Sequence, residues 1–481
     1  MGNIKKELTI GVFYTAIAKY SSIIISLIIS AILARLLTPK DFGIVAIALI
    51  MINFFNMFSD LGIGSAIIQK KLTKDDLSQI FSFTIWIGVF LSVAFFFCSW
   101  SIASYYNIDQ LISICQLLSI NIFFASINIV PSGLLQKYKK FKFIALRTFF
   151  VQLIIGAISC ILAYNGFGIY SLLITPILSS IILFIINYQQ HPLKLTLKLN
   201  FQPLKNIYSY SIYQFSFNLF NYLSSNIDKL LIGKFLGMPT LGYYEKSYRL
   251  MMLPLSNITN VITPVMHPIF STYQNNYILL SNYYLKIIRF LSYIGFPLSV
   301  YLYFTAQELV LIIFGEQWIE SIHPFQILSI SVGIQVIMAS SNAIFQAADS
   351  TRAMFFCGLF SSTINIIGII LGIFIWKSVE VVAWCMVIGF FISFIQRYWY
   401  MYKQMFAMNM LIFFKTLISP LFSAIILTPV LFLFNTLFQD LDLIISFLLK
   451  TILSLITLAL YIHFGKVYNL KQFSLRNISK L

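Results

Sequence analysis

Apolar residues fill this chain in long runs that follow one another from the first residues to the last hundred. A run of about 20 residues matches the hydrocarbon thickness of a bilayer when it is wound as a helix. Only 10% of the 481 residues are charged, against about 25% in a soluble domain, so a water-facing surface cannot be built from them. Lipid is therefore the solvent, and the number of spans sets the architecture.

Fourteen spans are expected, near 10–36, 43–66, 78–106, 111–135, 146–164, 167–188, 206–236, 243–270, 287–313, 325–346, 354–376, 380–402, 413–436 and 444–464. Turns of two or three residues, such as Asn165-Gly166 and Lys377-Ser378-Val379, force antiparallel neighbours. The fold class expected is all-α integral membrane, a compact bundle with no sizeable soluble domain.

The formal charge of +17 would point to nucleic acid in a soluble protein. Here the charges lie between apolar runs, and the reading is topology, since Lys and Arg collect in cytoplasmic loops. With the N terminus inside, the inner segments hold 23 of the 32 Lys and Arg, and the outer ones hold seven, including Arg35, Lys234, Lys246, Arg249 and Lys450. Both termini are then expected in the cytoplasm. Membrane lipids are expected partners, with headgroups contacted by the run from Lys137 to Lys142, and no nucleic-acid partner is expected.

Cys98, Cys115, Cys160, Cys357 and Cys385 all stand in apolar runs and read as small buried hydrophobes. The four histidines lack metal-ligand spacing. No phosphate-cradling glycine loop and no Ser/His/Asp constellation appear. No metal, cofactor or catalytic residue is therefore assigned.

The longest linker divides the chain after span six. The expected organisation is an N-lobe over 1–190, a basic linker over 191–205, a second lobe over 206–403, and two further spans with a basic tail over 404–481. The halves look alike. Arg35 precedes Gly43 by the interval at which Lys234 precedes Gly242, each at an outer turn. With six spans per half the repeat is parallel, giving two six-helix lobes around a central cavity plus two C-terminal helices.

Charges inside lipid are costly, by about 2.5 kcal/mol or more, so those within spans point to function. Lys19 shares a helical face with Ala16, Ser22 and Ser26. It is either a cationic anchor for an anionic headgroup or a lysine snorkelling to the inner interface. Span seven carries Gln214, Asn218, Asn221, Ser225 and Asp228 at steps of four and three, one polar stripe, and also Lys229. Amides suit sugar hydroxyls and also glue helices together. Asn257 and Asn260 continue the pattern in span eight. Asp228 is a candidate for a coupling cation or a lobe-closing salt bridge, and Asp60 for gating or a plain interfacial position. Arg35, Lys234, Lys246 and Arg249 are outer cations, suited to hold an emerging diphosphate or simply to snorkel outward.

Three stretches resemble Wzx-type polysaccharide flippases. They are Ala34-Arg35-Leu36-Leu37-Thr38-Pro39-Lys40-Asp41-Phe42-Gly43 with Asp60-Leu61-Gly62-Ile63-Gly64; Asn226 to Gly237 with Leu241-Gly242-Tyr243-Tyr244; and Leu135 to Lys142. The resemblance implies a fourteen-span, two-lobe transporter, not an enzyme, in a bacterial inner membrane. It implies a cargo of undecaprenyl-diphosphate-linked oligosaccharide for O-antigen, capsule or exopolysaccharide, moved by alternating access coupled to an ion gradient. A polysaccharide polymerase and a chain-length regulator are its implied partners. A cationic cavity wall would fall on Lys19 and Lys229. Drug exporters and lipid II flippases of the same superfamily are the alternatives, and a membrane polymerase or glycosyltransferase is the alternative from another class.

Overall fold

The computed structural model describes residues 2–196, 202–271, 273 and 276–464, and their side chains from Lys19 onward except at 202–214, 216–218, 260–265, 267–269, 271 and 351. Among the described residues all regular elements are helices. By packing, the chain divides into two units, Met1–Gly242 and Tyr243–Leu481.

The first unit holds α1 (Gly2–Leu36), α2 (Pro39–Asp60), α3 (Ile63–Gln69), α4 (Lys74–Tyr106), α5 (Gln110–Ile127), α6 (Ile129–Lys137), α7 (Phe141–Tyr164), α8 (Tyr170–Gln190) and α9 (Gln202–Phe235). The division falls inside α10 (Met238–Ser271). The second unit continues with α11 (Tyr277–Phe304), α12 (Ala306–Phe314), α13 (Ile322–Ser329), α14 (Val332–Ala347), α15 (Thr351–Leu371), α16 (Val379–Trp399), α17 (Met410–Leu437) and α18 (Leu443–Phe464).

Eleven helices among the described residues are long and apolar enough to cross a bilayer, and the pair Glu316–Ser329 with Val332–Ala347, bent by 56°, makes a twelfth. α9 and α10 have 34 residues each, about 51 Å of helix. They are long enough to cross but more polar, and with them the candidates come to about fourteen.

The span limits differ from expectation where the backbone breaks. Leu61 and Gly62 take left-handed φ values of 41° and 78°, which stops α2 at Asp60 and starts the short α3. The expected ninth span is two helices, α11 and α12, joined at Thr305.

Helix starts follow local chemistry. The Asp41 amide donates to the Thr38 hydroxyl (3.3 Å) and the Thr38 amide donates to the Asp41 carboxylate (3.0 Å), with Pro39 in the first turn. Thr73 and Asp76 repeat this capping box on α4. Each box satisfies amide donors that a helix start leaves open.

In the first unit a core of Ile63, Ile67, Ile80, Phe81, Val130 and Leu134 joins α3, α4 and α6. Polar side chains tie α2 to α5 and α8. Asn56 donates to Asn121 (3.3 Å), Asn121 donates to the Pro176 carbonyl (2.7 Å), and Ser126 donates to Ser59 (2.7 Å). The turns before Gly43 and Gly242 meet reciprocally. A Cβ added to Gly43 would strike the Met238 carbonyl, and one added to Gly242 would strike the Pro39 carbonyl. The interval from Pro39 to Met238 equals that from Gly43 to Gly242, so equivalent residues of the sequence repeat pack against one another.

In the second unit α11 packs against α14 and α17. Gly295 and Gly333 bring α11 and α14 so close that a Cβ on either would lie 2.9–3.0 Å from the other's carbonyl oxygen. Small residues allow such close crossings in lipid. α18 is held by a polar face. Ser446 and Lys450 reach Glu308, Thr451 bonds Tyr301 (2.8 Å), and the Tyr461 hydroxyl donates to the Ser419 carbonyl (2.8 Å). Its other faces expose Ile444, Leu448, Ile452, Leu455 and Ile456, a surface that lipid covers.

Candidate functional site

Lys19 is exposed on α1. It stands 17 residues before Leu36, about 26 Å of helix, so with Leu36 at one border of a core about 30 Å thick the ammonium lies close to the other border.

α9 is anchored in the first unit by one side and open on another. Tyr222 donates to the Ile50 carbonyl of α2 (2.7 Å), and Lys234 donates to the Tyr105 carbonyl at the end of α4. The Lys234 ammonium also lies 4.7 Å from the Tyr105 ring centre. It therefore satisfies one of the last carbonyls of α4, a favourable place for a cation at a helix C-terminus. Asn221 and Ser225, at i and i+4, are exposed. Asp228 continues that stripe and is buried, 3% exposed, with Lys229 half-buried beside it. The side chains of Gln214 and Asn218 lie outside the described residues.

The other candidates divide. Asp60 accepts the Gly64 amide on Oδ1 (2.9 Å), so this carboxylate caps α3. Arg35 is exposed and Arg249 half-buried. In the second unit Asn257 is half-buried, and its Oδ1 is a buried acceptor without a hydrogen bond. The Asn260 side chain lies outside the described residues. Within the first unit, then, Lys19, Arg35, Asn221 and Ser225 are exposed, while Asp60 and Lys234 are engaged in capping.

Two buried charges were not singled out as candidates from the sequence. Glu308, in the first turn of α12, and Lys450, on α18, form an ion pair at 5–6% side-chain exposure. Ser446 donates to the same carboxylate oxygen (2.7 Å), and Lys450 also donates to the Phe304 carbonyl at the end of α11 (3.0 Å). The pair thus places a cation at the negative end of α11 and an anion at the positive end of α12. Expectation counted Lys450 with the outer segments; the structure puts it two turns into α18. Glu308 lies inside an expected span, and the rule applied to Lys19 would have found it.

Lys246, expected as an outer cation, is 1% exposed. Its ammonium stands 4.7 Å from the Phe314 ring centre and 5.3 Å from that of Trp318, a cation–π cage. Beside it Ser247 donates to the Ser321 carbonyl (2.7 Å) and Ser321 donates to the Tyr243 carbonyl (3.1 Å). The stretch Tyr243 to Ser247 thereby fastens α10 to the 3-10 turn Glu316–Ser321. No three His, Cys, Asp or Glu among the described residues are placed to hold a metal ion.

The helices form a fold class that solved membrane transporters share. The chain superposes on a lipid II flippase, MurJ, in an inward closed conformation, with a TM-score of 0.75 at 15% identity over 93% of this chain and 97% of that one. An inward-facing multidrug resistance MATE family transporter of the MOP superfamily follows at 0.63 and 15% identity, covering 82% and 96%.

Within that class the chain belongs to the polysaccharide biosynthesis protein family, whose profile matches residues 32–323. It is 29% identical over 338 residues to an uncharacterized membrane protein in the cps region of Klebsiella pneumoniae, covering 67% of this chain and 68% of that protein. It is 25% identical to the teichuronic acid biosynthesis protein TuaB of Bacillus subtilis (strain 168), over 87% of each. It is 24% identical to the lipopolysaccharide biosynthesis protein WzxC of Escherichia coli (strain K12), over 68% and 67%.

Proposed function

We propose that the protein flips oligosaccharides linked to undecaprenyl diphosphate across the inner membrane, by alternating access driven by an ion gradient. Lys19 carries the reading: an exposed cation near the border of the hydrocarbon core, where the diphosphate of a lipid in the adjacent leaflet lies. Family membership and likeness to a lipid flippase support the cargo class, since a drug exporter for cationic substrates would favour acids over Lys19 and Lys229. Asn221 and Ser225 are open to sugar hydroxyls, with Asn218, Asn257 and Asn260 extending the same chemistry. Asp228 is the coupling carboxylate, in preference to Asp60, whose Oδ1 is held by Gly64. Arg35 and Arg249 receive the diphosphate on the far side, with Lys234 as a fixed neighbour.

In this reading both termini are cytoplasmic, and a polysaccharide polymerase and chain-length regulator act on the delivered units. The test is reconstitution in liposomes with a defined lipid-linked oligosaccharide, with and without a sodium or proton gradient. Translocation accelerated by one gradient is expected. Equal appearance of cargo outside protein-free liposomes would refute the reading.

A further inference from the structure

Arg397 lies near the end of α16, where the helix passes into the π-helical segment Tyr400–Met405. Such segments are rare and recur at functional sites. Its Nη1 donates to the Ser341 hydroxyl (3.0 Å) and to the Asn342 side-chain oxygen (3.2 Å), both on α14. These two contacts fix the plane of the guanidinium. Its Nε is buried and has no acceptor. Ser341 is fully buried, so the clamp is part of the packed bundle.

Neither clamp residue carries charge, and among the described residues no carboxylate pairs with Arg397. The contrast with Lys450, which sits against Glu308, is chemical. A guanidinium held by neutral oxygens keeps its full charge for another anion. Because Nη1 is occupied, the edge without a hydrogen bond is formed by Nε and Nη2, two parallel donors that match two oxygens of one phosphoryl or carboxylate group.

One more buried polar atom without a hydrogen bond, Ser393 Oγ, stands one turn earlier on α16, while the Tyr402 hydroxyl of the π segment and Ser281 of α11 face each other. Leaving the buried Arg397 Nε and Ser393 Oγ without partners is costly, a cost that hydrogen bonds to an oxyanion offset. We propose that Arg397 is the principal donor of an oxyanion site in the second unit, one that takes a phosphoryl group. That this group is the diphosphate of the transported lipid rests on the function proposed above; the site itself does not.

The test measures binding of farnesyl diphosphate to the full chain in phosphatidylcholine nanodiscs, in a Lys19→Ala background that removes the first unit's cation. Arg397→Gln is expected to weaken binding roughly tenfold to a hundredfold, the worth of a charge-assisted bidentate contact. Arg397→Lys should not restore it, because an ammonium lacks the fork. Asn342→Ala, which only frees the guanidinium, should weaken it several-fold with an unchanged unfolding temperature. Repeating the measurement with phosphatidylglycerol in the disc separates the sources. Competition assigns the site to a lipid headgroup, and its absence assigns it to the diphosphate. Wild-type binding by Arg397→Gln, or by Arg397→Lys, overturns the proposal, and if Arg397→Gln does not fold, the other two variants decide. Translocation of a lipid-linked oligosaccharide is measured separately in liposomes. Binding through Arg397 without translocation refutes the flippase and leaves the site, whereas translocation with binding insensitive to Arg397 does the reverse.

Discussion

Lys19 and Lys450 are both lysines within long apolar helices, one in each unit, and their surroundings are opposite. Lys19 on α1 is exposed. Lys450 on α18 is 4% exposed and spends its donors on Glu308 and the Phe304 carbonyl. Lys246 is a third case, equally buried but stabilised by the faces of Phe314 and Trp318. An intramembrane charge therefore marks function only when its partner lies outside the chain. Where a carboxylate or aromatic rings satisfy it, the charge joins helices.

The largest effect that tests this contrast is on activity. Lys19→Met should cut polysaccharide export in a deletion strain by at least about tenfold, the scale of one lost charge-assisted contact, with the unfolding temperature in detergent unchanged. A variant that melts early yet exports normally would place Lys19 with the structural lysines. Glu308→Gln should show the opposite pattern, losing about 3–5 kcal/mol of stability because Lys450 is left buried without its counter-charge. The double variant Glu308→Leu with Lys450→Met should recover most of that loss, and chemical denaturation of the three proteins reads it out.

Gly43→Ala and Gly242→Ala should each cost about 1–3 kcal/mol by overpacking. Their equality in thermal unfolding sharpens the reciprocal contact, since a cost at only one of them would contradict it. An effect of similar size is expected at Lys246. Replacement by Met keeps the volume and removes the cation–π contacts, about 2 kcal/mol when desolvated, so its melting temperature should fall less than that of Glu308→Gln.

Most of the helical layout was legible because hydropathy and span length obey the same bilayer constraint. The breaks were harder to read. Asp60-Leu61-Gly62 reads as the end of one apolar run, and only the left-handed backbone at Leu61 and Gly62 shows that a second short helix follows. The Thr38 and Thr73 capping boxes were visible as Thr followed three residues later by Asp, a pattern with a mechanism. They explain the Thr38-Pro39-Lys40-Asp41 stretch without any ligand.

The site was less legible, because spacing along one helix fixes a shared face and not what that face meets. The polar face of α2 holds α5 through Asn56 and Ser59, whereas the similar face of α9 leaves Asn221 and Ser225 exposed. Arg397 looked like one more cytoplasmic charge, since its clamp residues on α14 are 55 and 56 positions away.

The pairing of Glu308 with Lys450 also bears on biosynthesis. The acid enters the membrane with α12, and its counter-charge arrives 142 residues later, in α18. Throughout that interval the nascent chain carries an uncompensated carboxylate in lipid, at a cost of about 2.5 kcal/mol or more. A chain stalled or cleaved before α17 therefore retains a carboxylate without the counter-charge that α18 supplies. A chain truncated after α16 should be degraded faster in a pulse-chase experiment than the same truncation bearing Glu308→Leu.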